Sequence, residues 1–390
     1  MIAQALLSCQ KDRFQLDPNI TYLNGAYMSP LLKSVEEAGI VGLRKKRTPS
    51  QLGHQEFFED VDDVRRLFAN LIHAADYQRI AVIPSVSYGM AIVAKNLLLS
   101  PGDNLVVVGE QFPSNVYCWQ KLAAQREVEL KTVVAPDTHE NRGQQWNGRL
   151  QEAINERTKL VAVAHFHWSD GTRFDLKALR QRTREVGSWL VIDGTQSVGA
   201  FPLDIQEIQP DALICAAYKW LMGPYGTTLA YLGEAFDEGE PLDEGWCNRF
   251  ASENFANLVN YQPRYQPGAL RYDMGERSNF VSIPMMGQAL REITEWGVEN
   301  IQTYCQTLVD PFIESLSDTD YRFEAPAYRG NHLFGMRLPQ HVRLEELQKS
   351  LQEAKISVSV RGNAVRISPH VYNESADLER LSVCLRDVAR

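Results

Sequence analysis

The chain has 390 residues, of which 49 are acidic and 40 are basic, and its formal net charge is −9. This length predicts about two domains, and a composition of 44% hydrophobic and 23% charged residues is typical of a globular protein and excludes a collagen, a coiled coil and a disulfide scaffold. The acidic balance argues against nucleic acid or an anionic membrane as the main partner. We expect a cytoplasmic protein, because no apolar run approaches the roughly 18 residues of a membrane span and the N-terminus does not resemble a signal peptide.

The cysteines are widely scattered and form no C-x-x-C pair, which predicts reduced thiols and no metal site. There are six of them: Cys9, Cys118, Cys215, Cys247, Cys305 and Cys384.

Short, continuously apolar runs predict strands that are covered on both faces. In chain order these runs are Arg79–Pro84, Asn104–Val108, Leu160–Phe166, Trp189–Ile192, Ala212–Ala216 and Thr227–Leu232. Between them lie amphipathic segments that predict helices: Tyr88–Leu99, Val116–Gln125, Leu150–Arg157 and Asp175–Val186. This alternation predicts an α/β fold with a mostly parallel sheet, in which ligands bind beyond the carboxyl ends of the strands.

The second half of the chain changes character. Residues 234–280 form a long polar and aromatic stretch with little periodicity, and a helical pattern then begins at Pro284 and continues after Gly297 to about Ser317. From Tyr321 the order of strand, helix, strand, strand and helix predicts a small α+β domain. We therefore expect a large domain at residues 15–280, with residues 1–30 also near the site, and a small domain at residues 281–390.

Two charged residues follow buried strands. Asp193 ends the run WLVID, and Lys219 follows the next run 26 residues later, before the glycines of GPYG. A carboxylate and an amine at these positions are costly unless they meet partners. Burial makes an amine nucleophilic towards carbonyls. The pair fits pyridoxal phosphate, which needs a Schiff-base lysine and a carboxylate beside its pyridinium nitrogen.

The motifs VIDGTQSVG and AYKWLMGPYG resemble those of fold-type I pyridoxal-phosphate enzymes, and within them the class V aminotransferases. That group includes cysteine desulfurases, kynureninases and isopenicillin-epimerase-like proteins. The resemblance runs from Tyr22 to about Asn373. It implies that Asp193 holds the pyridine nitrogen, that Gln196 lies near the ring hydroxyl and that Lys219 carries the cofactor.

The same resemblance implies further cofactor contacts. The turn with Val86 and Ser87 opens a helix and would bind the cofactor phosphate, as helix N-termini do. Phe112, in a motif FPSN that resembles the kynureninase FPSD, would stack on the ring. Tyr218 stands where desulfurases have histidine, and its hydroxyl could reach the phosphate.

Substrate contacts are implied in two segments, and a cofactor contact is implied in a third. Arg366 lies in an apolar strand and would bind the α-carboxylate, with Arg361 as a weaker candidate. The motif YLNGAYMSP places Asn24 and Gly25 with the substrate. Ser278 and Asn279 resemble a kynureninase pair that reaches across a homodimer interface, so we expect a homodimer with its active site at the boundary.

The resemblance leaves the reaction open between transamination, Cβ–X (C–S) lysis, kynureninase-like hydrolysis and epimerisation, and transamination of a small or medium amino acid is the preferred hypothesis. A persulfide-forming desulfurase is disfavoured, because no cysteine lies between Arg361 and Arg366. A non-catalytic binding module and a nucleotide-binding α/β protein are the alternatives of another class. The roles of His165, His167 and Trp168 stay open.

Overall fold

The computed structural model describes residues 7–138, 140–361 and 364–389, which form an α/β fold with a small second sheet. Their strands are β1 (Thr21–Tyr22), β2 (Ile80–Ile83), β3 (Asn104–Val108), β4 (Glu129–Val133), β5 (Thr158–Ala164), β6 (Trp189–Asp193), β7 (Ala212–Ala216), β8 (Thr228–Leu232), β9 (Arg322–Phe323), β10 (Phe334–Arg337), β11 (Ile356–Ser357), β12 (Ser359–Arg361) and β13 (Ala364–Ile367).

The helices are α1 (Lys33–Lys45), α2 (Glu59–Leu71), α3 (Val86–Asn96), α4 (Tyr117–Arg126), α5 (Arg142–Ala153), α6 (Leu176–Val186), α7 (Ile205–Ile208), α8 (Ser282–Trp296), α9 (Val298–Glu314), α10 (Leu344–Glu353) and α11 (Ser375–Val388). None of those in the described part of the chain is long and apolar enough to cross a membrane.

The central sheet has seven strands in the order β2-β8-β7-β6-β5-β3-β4. The strands β4, β3, β5, β6 and β7 run parallel, whereas β8 is antiparallel to both of its neighbours. As a result, β2, β3, β5, β6 and β7 all end at the same edge of the sheet. This confirms the predicted mostly parallel α/β fold and places the segments that follow these strands together.

Helices cover both faces of this sheet. One face packs against α1, α2, α5, α6 and α8, and the other packs against α3 and α4. The first half of α9 belongs to the large core and its second half to the core of the small domain, so one helix joins the two. The predicted boundary between residues 280 and 281 stays a prediction, and α8, which follows it, packs on the large core.

The small domain contains an antiparallel four-stranded sheet in the order β12-β13-β10-β9. The N-terminal segment joins it, because β1 pairs with β11 and Asn24 forms a bridge with Ser368. Residues near the start and the end of the chain are therefore held side by side.

Several elements differ from the predictions, and β1, α1 and α2 precede the first predicted run. The edge strand β4 was not predicted, because its side chains are mostly exposed or half-buried rather than continuously apolar. The strand β10 was also not predicted, and α5 begins at Arg142 rather than at Leu150. In contrast, the bounds of β3 and β7 match the predicted runs, since both strands are buried along their whole length.

Candidate active site

A cavity of about 200 Å³ lies at the edge where the parallel strands end. It is lined by the segments after β2, β3, β5, β6 and β7, together with the start of β8. The structure brings together here most of the residues predicted to contact the cofactor: Val86, Ser87, Phe112, Asp193, Gln196, Tyr218 and Lys219.

Lys219 reaches the cavity from the turn after β7 and is 7% exposed. Burial, together with the positive charges of Arg366 and Arg361, lowers the pKa of its amine to about 8, although the charge of Asp193 opposes this shift. Its Nζ atom lies 5.5 Å from the centre of the Phe112 ring. A substantial fraction of this amine is therefore neutral near pH 8, as a nucleophile and a base require.

Asp193 is the last residue of β6 and is 6% exposed. Its Oδ1 accepts a hydrogen bond from the backbone N–H of Thr195 at 3.0 Å. It forms no ion pair with a cation among the residues that the structure describes, and burial raises the pKa of the carboxyl group. The next residue must be glycine, because a Cβ at Gly194 would lie 2.7 Å from Cys215 Sγ.

The turn between β2 and α3 offers donors to an anion. Ser85 caps the helix by accepting a hydrogen bond from the backbone N–H of Tyr88, and its hydroxyl lies 2.9 Å from that of Ser87. The first amides of α3 have no partner within the helix. The buried hydroxyl of Thr227 also lines the cavity and has no hydrogen-bond partner in the part of the chain that the structure describes. This donor set suits a phosphate group.

Aromatic rings form the walls. Phe112 and Trp168 pack edge to face with their centroids 5.5 Å apart. Trp168 is fixed by a hydrogen bond from its Nε1 to the Glu110 carbonyl at 2.7 Å. Tyr218 packs against Tyr225 with 4.7 Å between ring centroids. These rings offer apolar surfaces against which a flat ring of a ligand could pack.

Gln196 lines the cavity, but its amide is already engaged. Its Nε2 donates to the Ala26 carbonyl at 3.0 Å, and its Oε1 accepts from Trp220 Nε1 at 2.8 Å. Its predicted contact with a ring hydroxyl stays a prediction, and the hydrogen bonds show that it ties the N-terminal segment to the turn after β6.

Arg366 is 2% exposed in β13 and donates to the carbonyl of Trp168 at 2.5 Å and to Ser359 Oγ at 3.2 Å. Ser359 in turn donates to Asn24 Oδ1 at 2.8 Å, so the Ser359 hydroxyl links Asn24 to the guanidinium group of Arg366. Gly25, the next residue, is closely packed, because a Cβ at this position would lie 2.8 Å from the hydroxyl of Tyr372. These three predicted substrate residues lie close together, and Arg366 contacts Trp168.

Ser278 and Asn279 do not line the cavity within one chain. The Ser278 hydroxyl donates to the Phe57 carbonyl, and Asn279 Oδ1 accepts hydrogen bonds from the amides of Val281 and Ser282 at the start of α8. Their predicted role across a subunit boundary stays a prediction.

The two histidines after β5 face different surroundings. His167 lines the cavity and contacts the Gly109 carbonyl and the Ser169 hydroxyl. His165 packs against the rings of Phe166 and Phe201, and burial lowers its pKa to about 3. His165 is therefore neutral at physiological pH. No group of three or more potential metal ligands occurs in the described residues.

Sequence reasoning missed Thr195, Tyr225 and Thr227, which also line the cavity. Tyr225 stands within the GPYG motif and could have been found there. Thr195 stands within the VIDGTQSVG motif and could have been found there too, whereas Thr227 begins a predicted strand and has no distinctive pattern. Only the pairing of β8 between β2 and β7 brings Thr227 to the site.

Comparison with known proteins gives consistent results. The sequence profile described as aminotransferase class-V matches residues 45–386. An uncharacterised aminotransferase, YcbU of Bacillus subtilis (strain 168), is 26% identical over 83% of this chain and 82% of its own length. A cysteine desulfurase of Pectobacterium atrosepticum is 26% identical over 72% of this chain and 67% of its own.

Among solved structures, a mutant of C-DES with glycine covalently linked to its pyridoxal-phosphate cofactor is similar, with a TM-score of 0.85. It is 18% identical, and the match covers 97% of this chain and 99% of that one.

Proposed function

Because the chain belongs to the aminotransferase class-V family, whose members depend on pyridoxal phosphate, we propose that it is an aminotransferase acting at Cα of an amino acid. The observation that carries this proposal is Lys219, a buried amine with a pKa of about 8 at the edge of the cavity.

The residues of the cavity fit the cofactor. The Asp193 carboxylate forms no ion pair in the described chain, and a protonated pyridine nitrogen would supply one. The amides of Val86 and Ser87 and the unpartnered hydroxyl of Thr227 would hold the phosphate. Phe112 would stack on the ring, and Tyr218 would border it. When bound, pyridoxal phosphate supplies an electron-withdrawing ring that stabilises negative charge at the substrate Cα.

The chain's own residues provide the proton transfer. Neutral Lys219 can accept the proton at Cα and redeliver it on the same face, which is what transamination requires. Epimerisation would need a second base on the opposite face. The cavity-lining tyrosine Tyr218 has a pKa raised by burial, and His167 is held by Gly109 and Ser169, so neither is poised for that role.

A defined assay tests the reaction. The purified protein, loaded with pyridoxal phosphate, is incubated with single amino acids and a 2-oxo acid acceptor. Transamination produces one new oxo acid and one new amino acid in equal amounts. Release of ammonia or sulfide without a new amino acid would show elimination, and appearance of the opposite enantiomer would show epimerisation; either result as the main activity contradicts the proposal.

We also propose that the protein is a homodimer with the active site near the subunit boundary. Apolar and aromatic side chains are exposed in several of the segments that carry the site, including Tyr27 at 56% and Tyr225 at 75%. Light scattering tests this, and a mass near 44 kDa, that of one chain, would contradict it.

A further inference from the structure

Two arginines near the cavity, the buried Arg366 and the half-buried Arg361, form no ion pair with an acidic side chain among the described residues. Arg361 is in β12 and Arg366 is in β13, which pair so that Ser359 faces Arg366 and Arg361 faces Ala364. Alternate residues of a strand share a face, so Arg361 lies on the same side of the sheet as Ser359 and Arg366. The two arginines are diagonal neighbours, within reach of one another's long side chains.

Both side chains meet at Trp168. Arg366 donates to the Trp168 carbonyl, and the guanidinium carbon of Arg361 lies 5.5 Å from the centre of the indole ring. Each has a buried Nε with no hydrogen-bond partner among the described residues. Arg361 donates a hydrogen bond to the carbonyl of the preceding residue, Val360. Trp168 lines the cavity, and both guanidinium groups contact this residue.

A third arginine on the same face shows the contrast. Arg337 in β10 is in register with Ala364, as Arg361 is, and it contacts the carboxylate of Asp170 at 3.4 Å. Asp170 also pairs with Arg142 at 2.8 Å, which fixes it on that side of the sheet. Neither Arg361 nor Arg366 forms an ion pair with any acidic side chain in the described ranges. Asp170 thus neutralises the charge of Arg337, whereas no acidic side chain in the described ranges does so for Arg361 or Arg366.

Positively charged side chains outnumber acidic ones around the cavity. Arg361 and Arg366 both lower the pKa of Lys219, and Arg361 lowers that of Arg366, so the three cations act on one another. Asp193 is the only acidic side chain that lines the cavity in the described chain. Burying unpaired charges is costly. The α-carboxylate of an amino acid would pair with one guanidinium group and leave the second without an anionic partner.

We propose that Arg361 binds a second acidic group, so that the preferred substrate is an amino acid with a carboxylate in its side chain. This inference rests on the proposed function for the identity of the reaction. The binding of a second carboxylate by Arg361 does not depend on it. Arg361 also borders an open groove of about 770 Å³ along β11 and β12, so its side chain is accessible from that groove.

Two probes without an amine test the binding alone. Glutarate has two carboxylates, and its monoamide, 4-carbamoylbutanoate, has the same shape with one. Neither can be transaminated, so their dissociation constants, measured by calorimetry on the pyridoxal-phosphate-loaded protein, do not depend on which reaction the protein catalyses. We expect glutarate to bind about 10- to 100-fold more tightly, as a charge-assisted hydrogen bond predicts.

Variants assign the preference. Arg361→Gln should remove the glutarate preference and leave the affinity for the monoamide unchanged, and Arg361→Lys should keep part of it. Arg366→Gln, the matched variant on β13, should weaken both probes alike. The visible absorbance of the bound cofactor shows that each variant is folded.

Three results overturn the inference: equal affinity of the two probes, absence of binding by both, or an Arg361→Gln variant that loses affinity for both equally. The last would mean that both arginines hold the same carboxylate. If the glutarate preference is present but no oxo acid is formed in the transamination assay, the proposed reaction is wrong and this inference stands.

Discussion

Two buried aspartates, Asp273 and Asp193, have opposite surroundings. Asp273 is 1% exposed, accepts a hydrogen bond from the Val82 amide at 2.8 Å and forms ion pairs with Arg65 and Arg277. Asp193 is also buried; the Thr195 amide and hydroxyl and the charge of Lys219 favour its ionised form, but it forms no ion pair in the described part of the chain. The first cluster is complete within the chain, whereas the second lacks a cation in contact with the carboxylate. Buried charge that the fold neutralises serves stability, and buried charge that it leaves unpaired is available to a ligand.

The largest expected effect is on catalysis. Lys219→Ala removes the unpaired cation of the cavity, and we expect the turnover rate to fall by about 10³-fold or more, since both the nucleophile and the base are lost. The melting temperature of the cofactor-free protein should not fall. Lys121→Ala, at an exposed position of α4, is the control and should leave both quantities unchanged. Retained turnover in Lys219→Ala would contradict the catalytic role that we assign to Lys219.

The paired cluster should respond in stability instead. Arg65→Gln deprives Asp273 of a partner that also holds the Ile80 carbonyl at 3.1 Å. We expect a loss of about 3–5 kcal/mol in the free energy of unfolding, measured with urea. Arg66→Gln changes the exposed neighbour on the same helix and should cost well under 1 kcal/mol, as surface changes usually do. Equal stabilities of the two variants would show that the cluster is not structural.

A smaller effect is expected in the pH dependence of cofactor uptake. Only neutral Lys219 attacks an aldehyde, so the rate at which the cofactor-free protein takes up pyridoxal phosphate should rise with pH around a midpoint near 8. The charge of Arg366 lowers the pKa of Lys219, so Arg366→Gln should move the midpoint to higher pH, while Arg366→Lys should not. A midpoint that is unmoved, or moved downwards, in Arg366→Gln would contradict the proposed coupling.

The sequence could predict the cofactor half of the site better than the substrate half. Asp193 and Lys219 follow continuously apolar runs, and the ends of parallel strands share one edge, so local pattern alone places them together. The pairing of Arg361 and Arg366 around Trp168 depends on the register of β12 and β13 and on packing between the two domains. No local periodicity encodes these contacts. The engagement of Gln196 by Ala26 and Trp220 is also a tertiary effect.

The contrast between the two aspartates can be measured directly by comparing Asp193→Asn and Asp273→Asn in urea unfolding of the cofactor-free protein. The Asp273 variant leaves two buried guanidinium groups short of a partner and should lose about 3–5 kcal/mol. The Asp193 variant keeps an oxygen for the Thr195 amide and removes an unpaired charge, so its stability should be unchanged or higher. An Asp193 variant that is destabilised as much as the Asp273 variant would contradict the claim that the charge of Asp193 is kept for a ligand.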